Sequence, residues 1–343
     1  MGEIITIGLD LAKHVFQVHG FDEHGNVVVR KPLRRGAVVK FFAELVPCRV
    51  GIEACSSAHY WARELTALGH TVKLMPPAYV KPYVKRGKND AADAEAICEA
   101  VMRPTMRFVP VKSAEQQANA MIYKVRELLV RQRTQLINAL RSHLAEMGIV
   151  AAKGVGKVDD LVAIVRDEND SRLPPPARQA LEELVRQIAA LDARIDPLQE
   201  GIISQVGSSE AGRRLMSIPG VGPIIAGALL AMVPDPGGFR SARHFATWLG
   251  FAPRQKSSGG KQRLGSISKQ GNRYLRSLLI LGAANILRRR GKASTSPWLA
   301  ALRGRRPFKV VAVALAHKIA RIVWALMVKG GSYRAAAPAA AQG

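Results

Sequence analysis

The stretch Ile4-Ile5-Thr6-Ile7-Gly8-Leu9-Asp10 decides the fold of the first part of the chain. It is an apolar run of strand-forming residues that ends on a carboxylate, which is typical of a buried strand. Residues 15–21 and 27–30 predict two further strands, joined by a turn over residues 22–26.

Strand-like and helix-like patterns alternate after these first strands. A helix is predicted over residues 38–45, a strand over 49–52, a helix over 60–68 and a strand over 72–75. Because hairpins come first and crossover helices follow, we expect a mixed sheet of the α/β class.

Four carboxylates stand at the ends of these elements. Asp10 ends the first strand, Glu53 ends the strand at residues 50–53, and Asp90 and Asp93 lie three residues apart at a predicted helix start. Oxygen ligands of this kind suit a hard divalent cation such as Mg²⁺, and without a cation their mutual repulsion would raise their pKa values. Simpler interpretations are Asp90 as a helix N-cap, Asp93 as a complement to the helix dipole and Glu53 as a surface strand end.

The 343-residue chain has a net charge of +25, and this charge is unevenly distributed. Residues 1–110 carry +4, residues 111–206 carry zero and residues 207–332 carry +20, with Glu210 and Asp235 as their only acids. Such a segment cannot build a carboxylate metal site, but it suits a phosphate backbone. The charge therefore favours DNA or RNA as the partner and leaves any metal to the first third.

The three cysteines, Cys48, Cys55 and Cys98, form no CxxC pair. This excludes a disulfide framework and a Cys-ligated zinc site, and it predicts a cytoplasmic protein. The start Met1-Gly2 formally fits a myristoylation pattern, but the same residues open the predicted buried strand. No signal peptide and no uncharged 18-residue apolar stretch occurs, so we expect no membrane span.

Long helical patterns occupy residues 113–206. Ser113 and Gln116 predict a capping box at the first helix start. Apolar residues then step alternately by three and four over residues 181–202, which is the heptad pattern of a coiled coil, although Pro197 predicts a local distortion. Two interpretations stay open, pairing between chains and a helical hairpin within one chain.

The basic segment, residues 207–332, opens with the turn Ser217-Ile218-Pro219-Gly220-Val221-Gly222-Pro223 between two helical patterns. The turn resembles a helix-hairpin-helix motif, in which the N–H groups around Gly220 and Gly222 face phosphates. A tight connection that needs glycine for a positive φ is an equally good interpretation. Residues 333–343, rich in Ala and Pro, predict a disordered tail.

A serine stands in a glycine-flanked loop within GFAPRQKSSGGK, residues 250–261. Ser258 has backbone room, nearby cations and no competing acids, as a phosphoryl nucleophile requires, although a serine beside glycine is more often a plain turn. Two arginine-rich runs, residues 288–292 and 303–306, could be a solvated helix face, but the lack of acids around them favours further phosphate contacts. The cations predicted to bind nucleic acid around the serine are Arg254, Lys256, Lys261, Arg263, Lys269 and Arg273.

Three motifs, GLDLAK (residues 8–13), GIEA (51–54) and KNDAADA (88–94), resemble the Asp, Glu, Asp, Asp motifs of one known family. They look like the RuvC-like, ribonuclease-H-fold domain of the IS110 family of insertion-sequence transposases. The stretches around the serine resemble the C-terminal domain of the same family, whose catalytic serine matches Ser258, with the adjacent Ser257 as its rival.

This resemblance implies a RuvC-like domain at residues 1–112, a helical coiled-coil linker at 113–206 and a mostly helical serine transposase domain at 207–332. It implies that Ser258 attacks a DNA phosphate to form a phosphoserine linkage while the four carboxylates hold Mg²⁺. It also implies a composite site in a dimer or tetramer that acts on donor and target DNA, guided by a structured RNA from the element's ends.

Three other functions fit parts of the sequence. A RuvC-like nuclease would hydrolyse junction DNA with metal-activated water and leave the serine without a role. An actin-like kinase or ATPase is suggested by the strand at residues 7–10, but no later Asp-x-Gly phosphate loop follows. A non-catalytic nucleic-acid-packaging protein would need only the charge.

Overall fold

The computed structural model describes residues 3–85, 89–152, 154–233, 235–289 and 297–334. The chain divides into two compact units, residues 1–117 and residues 118–343, and each is described by itself.

The first unit is a mixed α/β structure around a five-stranded sheet. Its strands are β1 (Thr6–Asp10), β2 (Val15–Phe21), β3 (Val27–Arg34), β4 (Arg49–Glu53) and β5 (Thr71–Met75). The sheet order is β3-β2-β1-β4-β5, in which β1, β2 and β3 pair antiparallel while β4 and β5 run parallel to β1. The predicted mixed α/β class is therefore confirmed. Each predicted strand is present, and β3 runs four residues further than the pattern indicated.

Helices cover both faces of this sheet. They are α1 (Val38–Ala43), α2 (Ala58–Ala67), α3 (Pro77–Val80) and α4 (Asp90–Val101). Because side chains alternate along a strand, Ile7 and Leu9 of β1 point to one face, where they pack with Phe42 of α1 and Trp61 of α2. Gly8 and Asp10 therefore point to the opposite face, which α4 covers.

The second unit begins with long helices that pack within one chain. The helices are α5 (Ala114–Glu146), α6 (Val158–Arg166) and α7 (Pro175–Ser208). The predicted capping box is present, since Ser113 and Gln116 exchange backbone-to-side-chain hydrogen bonds of 2.9 and 3.0 Å. Leu140 of α5 and Ile188 of α7 belong to one buried cluster, and α7 continues through Pro197. The structure thus contains an intrachain helix pair, and pairing between chains stays a prediction.

The rest of the second unit is mostly helical and carries one small hairpin. Its elements are α8 (Glu210–Met216), α9 (Pro223–Met232), α10 (Ala242–Trp248), β6 (Pro253–Gln255), β7 (Leu264–Ile267), α11 (Arg273–Arg288), α12 (Pro297–Arg305) and α13 (Phe308–Lys329). By length and composition alone α13 could cross a membrane, but Val311, Leu315, Ile319 and Val323 on it are buried in the core of this unit. A core helix passes the same length and hydropathy test.

The final residues fall partly outside the described ranges. The backbone N–H of Tyr333 donates to Ser217 Oγ (2.9 Å), and its ring packs on the core. The remainder of the predicted tail, residues 335–343, lies outside the described residues, as do Lys88 and residues 290–292 of the first arginine-rich run.

Candidate active site

The carboxyl ends of two parallel strands bring Asp10 and Glu53 to the same edge of the sheet. Leu9 pairs with Ile52 in the β1–β4 register, so the two acids occupy the next position on each strand. Both stand two residues after a glycine, Gly8 and Gly51, and they point with those glycines toward α4.

The two glycines allow α4 to lie directly on the sheet. A Cβ on Gly8 would lie 2.1 Å from the Ala94 carbonyl oxygen, and one on Gly51 would lie 2.8 Å from Val101 Cβ. Any side chain at these positions would push the helix away. The close approach of helix and sheet therefore sets the distance between the start of α4 and the strand ends.

The start of α4 supplies the remaining two acids. Asn89, not Asp90, is the N-cap, since its side-chain oxygen accepts a hydrogen bond from Ala91 N–H (3.0 Å). The interpretation of Asp90 as the cap is therefore wrong, and its carboxylate is available for other contacts. Asp90 and Asp93 lie in the first turn of α4.

Three of the four predicted carboxylates form a close cluster. Oxygen atoms of Asp10, Asp90 and Asp93 all lie within 4.8 Å of one another. Glu53 is not a member of this close group, although its charge acts on Asp10. The sequence predicted four converging oxygen ligands, and the geometry brings three of them within 4.8 Å of one another, with Glu53 outside this group.

Repulsion and burial make this cluster unfavourable when all its members are ionised. Burial, reinforced by the charges of Asp93, Asp90 and Glu53, raises the pKa of Asp10 to about 6. Burial together with the charge of Asp93 raises the pKa of Glu53. A cation between the carboxylates would remove this repulsion.

The donor set fits a hard divalent cation. Oxygens that bind one Mg²⁺ at about 2.1 Å lie roughly 3 to 4 Å apart, so the three carboxylates need only small movements to share one ion. The cluster consists of oxygen ligands only, which is the chemistry that Mg²⁺ and similar cations prefer.

Ser258 lies at the tip of the β6–β7 hairpin, which the sequence patterns did not predict. Gly259 and Gly260 adopt φ of 54° and 74°, and Lys261 N–H donates to the Ser258 carbonyl (3.1 Å). Two consecutive left-handed residues closed by this bond make a tight two-residue hairpin turn, for which Gly-Gly is a favoured sequence. That dipeptide was the signal from which the hairpin could have been predicted.

The two adjacent serines differ in their hydrogen bonds. Ser257 Oγ accepts a hydrogen bond from Arg263 N–H (3.2 Å), which ties it to the opposite strand. The Ser258 hydroxyl makes no hydrogen bond to any residue that the structure describes, and the residue is exposed. This difference favours Ser258 as the reactive residue.

One face of the hairpin carries Ser258 together with several of the predicted cations. Ser258 lies opposite Lys261 as a bridge pair. Lys256 N–H donates to the Arg263 carbonyl (2.8 Å), so Lys256 lies opposite Arg263 on the other strand. Because side chains alternate along each strand, Lys256, Ser258, Lys261 and Arg263 lie on the same face. The Arg254 guanidinium instead donates to the Ser268 carbonyl (3.2 Å), near the base of the hairpin. The serine hydroxyl therefore shares this face with three cations.

The other predicted nucleic-acid contacts are spread over the same unit. Lys269 and Arg273 are exposed after β7, and Gly222 is exposed where α9 begins. Gly220 has φ of 82°, and a Cβ there would lie 2.9 Å from the Gly282 carbonyl of α11. The turn therefore needs glycine at position 220 for its conformation and packing, as the structural interpretation predicted.

The sequence carries no local signal for the role of Arg276, because its surroundings depend on the fold. It is a buried cation on α11, with 7% of its surface exposed. It donates to two main-chain carbonyls at the base of the β6–β7 hairpin, called the serine hairpin because it carries Ser258. Asp10 and Ser258 belong to different compact units, so the carboxylate cluster and the serine hairpin are described separately.

Comparisons with known proteins match both segments of the chain that carry these clusters. The family profile described as "Transposase IS116/IS110/IS902 family" matches residues 212–298, which include Ser258. A second profile, the IS110-type DEDD transposase domain, matches residues 7–149, which include all four carboxylates.

Proteins similar over nearly the full length are also transposases. The chain is 52% identical to a probable family 20 transposase of Pseudomonas aeruginosa, over 96% of this chain and 98% of the relative. It is 39% identical to the transposase for insertion sequence element IS1111A of Coxiella burnetii, over 98% and 93% of the two chains. It is 38% identical to the transposase for insertion sequence element IS1328 of Yersinia enterocolitica, over 96% and 98%.

Proposed function

This chain belongs to the IS110 family of insertion-sequence transposases, and we propose that this DNA transposase cuts and rejoins DNA through a phosphoserine intermediate. The observation that carries the proposal is the exposed Ser258 hydroxyl on a hairpin face lined by Lys256, Lys261 and Arg263.

The proposed chemistry at Ser258 is a reversible phosphoryl transfer. Ser258 Oγ attacks the DNA phosphorus and gives its proton to a base, and the bond to one deoxyribose oxygen breaks, so that this oxygen takes up a proton. The hydroxyl of another strand then displaces Ser258 and restores a phosphodiester. Because the phosphoester is conserved, joining needs no external energy source. The neighbouring cations offset the charge that develops on the phosphate oxygens.

The carboxylate cluster supplies the second part of the proposed site. Asp10, Asp90 and Asp93, with Glu53 beside them, would hold Mg²⁺. The bound cation would neutralise phosphate oxygens and orient them for in-line displacement. The sheet, with its antiparallel β1–β3 and parallel β4 and β5, supports a ribonuclease-H-like fold for residues 1–112.

Residues 207–332 form the proposed DNA-binding part of the enzyme, with the turn at Gly220 and Gly222 as a helix-hairpin-helix-like phosphate contact. Its net charge of +20 supports this assignment. Residues 113–206 would act as the linker in a dimer or tetramer that completes the site. The excess charge also supports a structured guide RNA as a partner, and an enzyme with these partners would act at the nucleoid.

The proposal is tested in cells that carry a plasmid with the complete insertion sequence, so that any RNA encoded by its ends is supplied. Transposition and denaturation-resistant protein–DNA adducts are measured for the wild type, Ser258→Ala, Ser257→Ala and Asp10→Ala. We expect Ser258→Ala to abolish both signals and Ser257→Ala to retain the adduct. Asp10→Ala should abolish transposition while DNA binding is retained.

Adducts that persist in Ser258→Ala would contradict the proposal. Strand cleavage without any adduct would instead favour a RuvC-like nuclease that uses only the carboxylate cluster, the second candidate function.

A further inference from the structure

Arg276 is buried without an acidic partner. No acidic residue follows Asp235 in the chain, and burial lowers the pKa of the guanidinium together with the charge of Arg273. Its Nη1 donates to two main-chain carbonyls, those of Leu249 (2.9 Å) and Gln270 (2.8 Å). Burying a cation costs free energy unless hydrogen bonds compensate for the lost water. The two bonds to main-chain carbonyls are therefore the contacts that hold the charged Arg276 side chain in place.

The two carbonyls stand at either end of the segment that carries Ser258. Leu249 immediately precedes residues 250–269, and Gln270 immediately follows them. Two backbone hydrogen bonds also join the two ends of this segment at the base of the hairpin. They run from Ser268 N–H to the Ala252 carbonyl (2.7 Å) and from Lys269 N–H to the Gly250 carbonyl (3.1 Å). One guanidinium therefore ties the chain before the hairpin to the chain after it.

The base of the hairpin is tightly fitted around this guanidinium. A Cβ on Gly250 would lie 2.2 Å from the Gln270 carbonyl, and one on Gly271 would lie 1.8 Å from the Trp248 carbonyl. Lys269, with φ of 58°, is the one non-glycine residue with a positive φ among those the structure describes. A strained residue of this kind persists only where its surroundings hold it in place.

The hairpin itself offers little resistance to tilting. All three residues of β6 and three of the four in β7 are exposed, and an isolated two-stranded hairpin is only marginally stable. Ser258 lies eight residues after Gly250, which is roughly 25 Å of extended chain. A tilt of about 10° at the base would move the tip by about 4 Å, and errors of 1 Å already slow a reaction severely.

Building on the proposed function, we propose that Arg276 is a positioning residue for phosphoryl transfer. It fixes the direction in which the hairpin projects and thereby places Ser258 Oγ for attack on the DNA phosphate. Arg276 does not contact the phosphate itself in this assignment, which separates its role from that of exposed Arg273.

The direction of the hairpin can be measured without any chemistry. Spin labels are placed on exposed positions by Gln262→Cys at the hairpin and Ser277→Cys on α11, with the exposed Cys55 replaced by serine. Pulsed electron paramagnetic resonance then gives the distribution of distances between the labels. We expect a narrow distribution in the otherwise wild-type full chain and a clearly broader one in Arg276→Met, which has no donor for the two carbonyls.

A functional measurement accompanies the spectroscopic one. At saturating plasmid DNA we expect Arg276→Met to slow formation of the Ser258 adduct at least tenfold, with Arg276→Lys intermediate because a shorter cation can restore part of the clamp. Affinity for a random-sequence duplex and its salt dependence should be unchanged in both variants. Gly271→Ala should reproduce the loss, because it displaces the same loop and alters no charge.

Ser277→Ala, on the exposed side of α11, is the matched control and should match the wild type in every assay. An unchanged distance distribution in Arg276→Met, or in Arg276→Lys if the Met variant does not fold, would overturn the inference. If adduct formation slows only because DNA binding is weaker, the inference would also be overturned. An adduct that survives Ser258→Ala would defeat the proposed function but would leave the spectroscopic result intact.

Discussion

Asp10 is the residue at which burial and repulsion within the carboxylate cluster act most strongly. Its pKa rises from 3.8 to about 6 on folding, so the folded chain binds the proton more tightly than the unfolded chain does. The free energy of unfolding therefore falls as the pH rises from about 4 to about 6, and the loss is complete above that range. In a chelating buffer the ionised Asp10 side chain destabilises the protein.

Asp10→Asn should therefore stabilise the metal-free protein at pH 7.5. We expect a gain on the order of 1 to 2 kcal/mol, because Asp10 is partly exposed and solvent screens part of the effect. Thermal unfolding between pH 4 and pH 8 with a chelator measures it, and the gain should shrink below about pH 5. Added MgCl₂ should stabilise the wild type more than Asp10→Asn. Equal stability of the two proteins at pH 7.5 would show that the carboxylates do not repel one another as described.

The contact between β1 and α4 is the element-scale feature on which the carboxylate cluster depends. Gly8→Ala would place a Cβ 2.1 Å from the Ala94 carbonyl and force the helix outward. We expect a loss of about 3 kcal/mol in the free energy of unfolding and a weaker stabilisation by MgCl₂, measured by denaturant titration. Gly36→Ala is the matched control, since a Cβ there meets nothing within 4 Å. Similar losses for both variants would refute the close-contact explanation.

The turn of the serine hairpin gives a second prediction at this scale. Gly260→Val puts a β-branched residue at φ of 74°, which strains the turn and disorders the tip. Because the hairpin is exposed, we expect the thermal midpoint to stay within about 2 °C while adduct formation falls at least tenfold. Gly265→Ala, whose Cβ would meet Arg254 only at 3.5 Å, should retain activity. Full adduct formation by Gly260→Val would show that the turn geometry is dispensable.

Local patterns predicted most elements because the alternation of β1 and the spacing of α2 are short-range signals. They predicted the acids at the strand ends, since parallel strands bring their carboxyl ends together. Local patterns did not predict features that depend on contacts between residues far apart in the sequence. Asp90 and Asp93 reach Asp10 only because α4 packs on the sheet, and Arg276 is hydrogen-bonded to two carbonyls that are distant from it in the sequence.

At the scale of the whole molecule, the charge distribution makes DNA binding strongly dependent on salt. If about six phosphates are neutralised, the logarithm of the association constant should fall with the logarithm of salt concentration with a slope of about −5. Fluorescence anisotropy with a random-sequence duplex measures this slope. Arg273→Ala should lower its magnitude by about one, whereas Arg276→Met should leave it unchanged. A slope near zero in the wild type would contradict phosphate binding by the basic segment.

In the proposed reaction one serine becomes joined to DNA. This step is tested most directly by isolating the protein–DNA adduct from cells, digesting the DNA and the protein, and locating the modified peptide by mass spectrometry. We expect a nucleotide attached through phosphate to Ser258, and no such peptide from Asp10→Ala. A nucleotide on Ser257 or on any other residue, or cleaved DNA that carries no peptide, would contradict it.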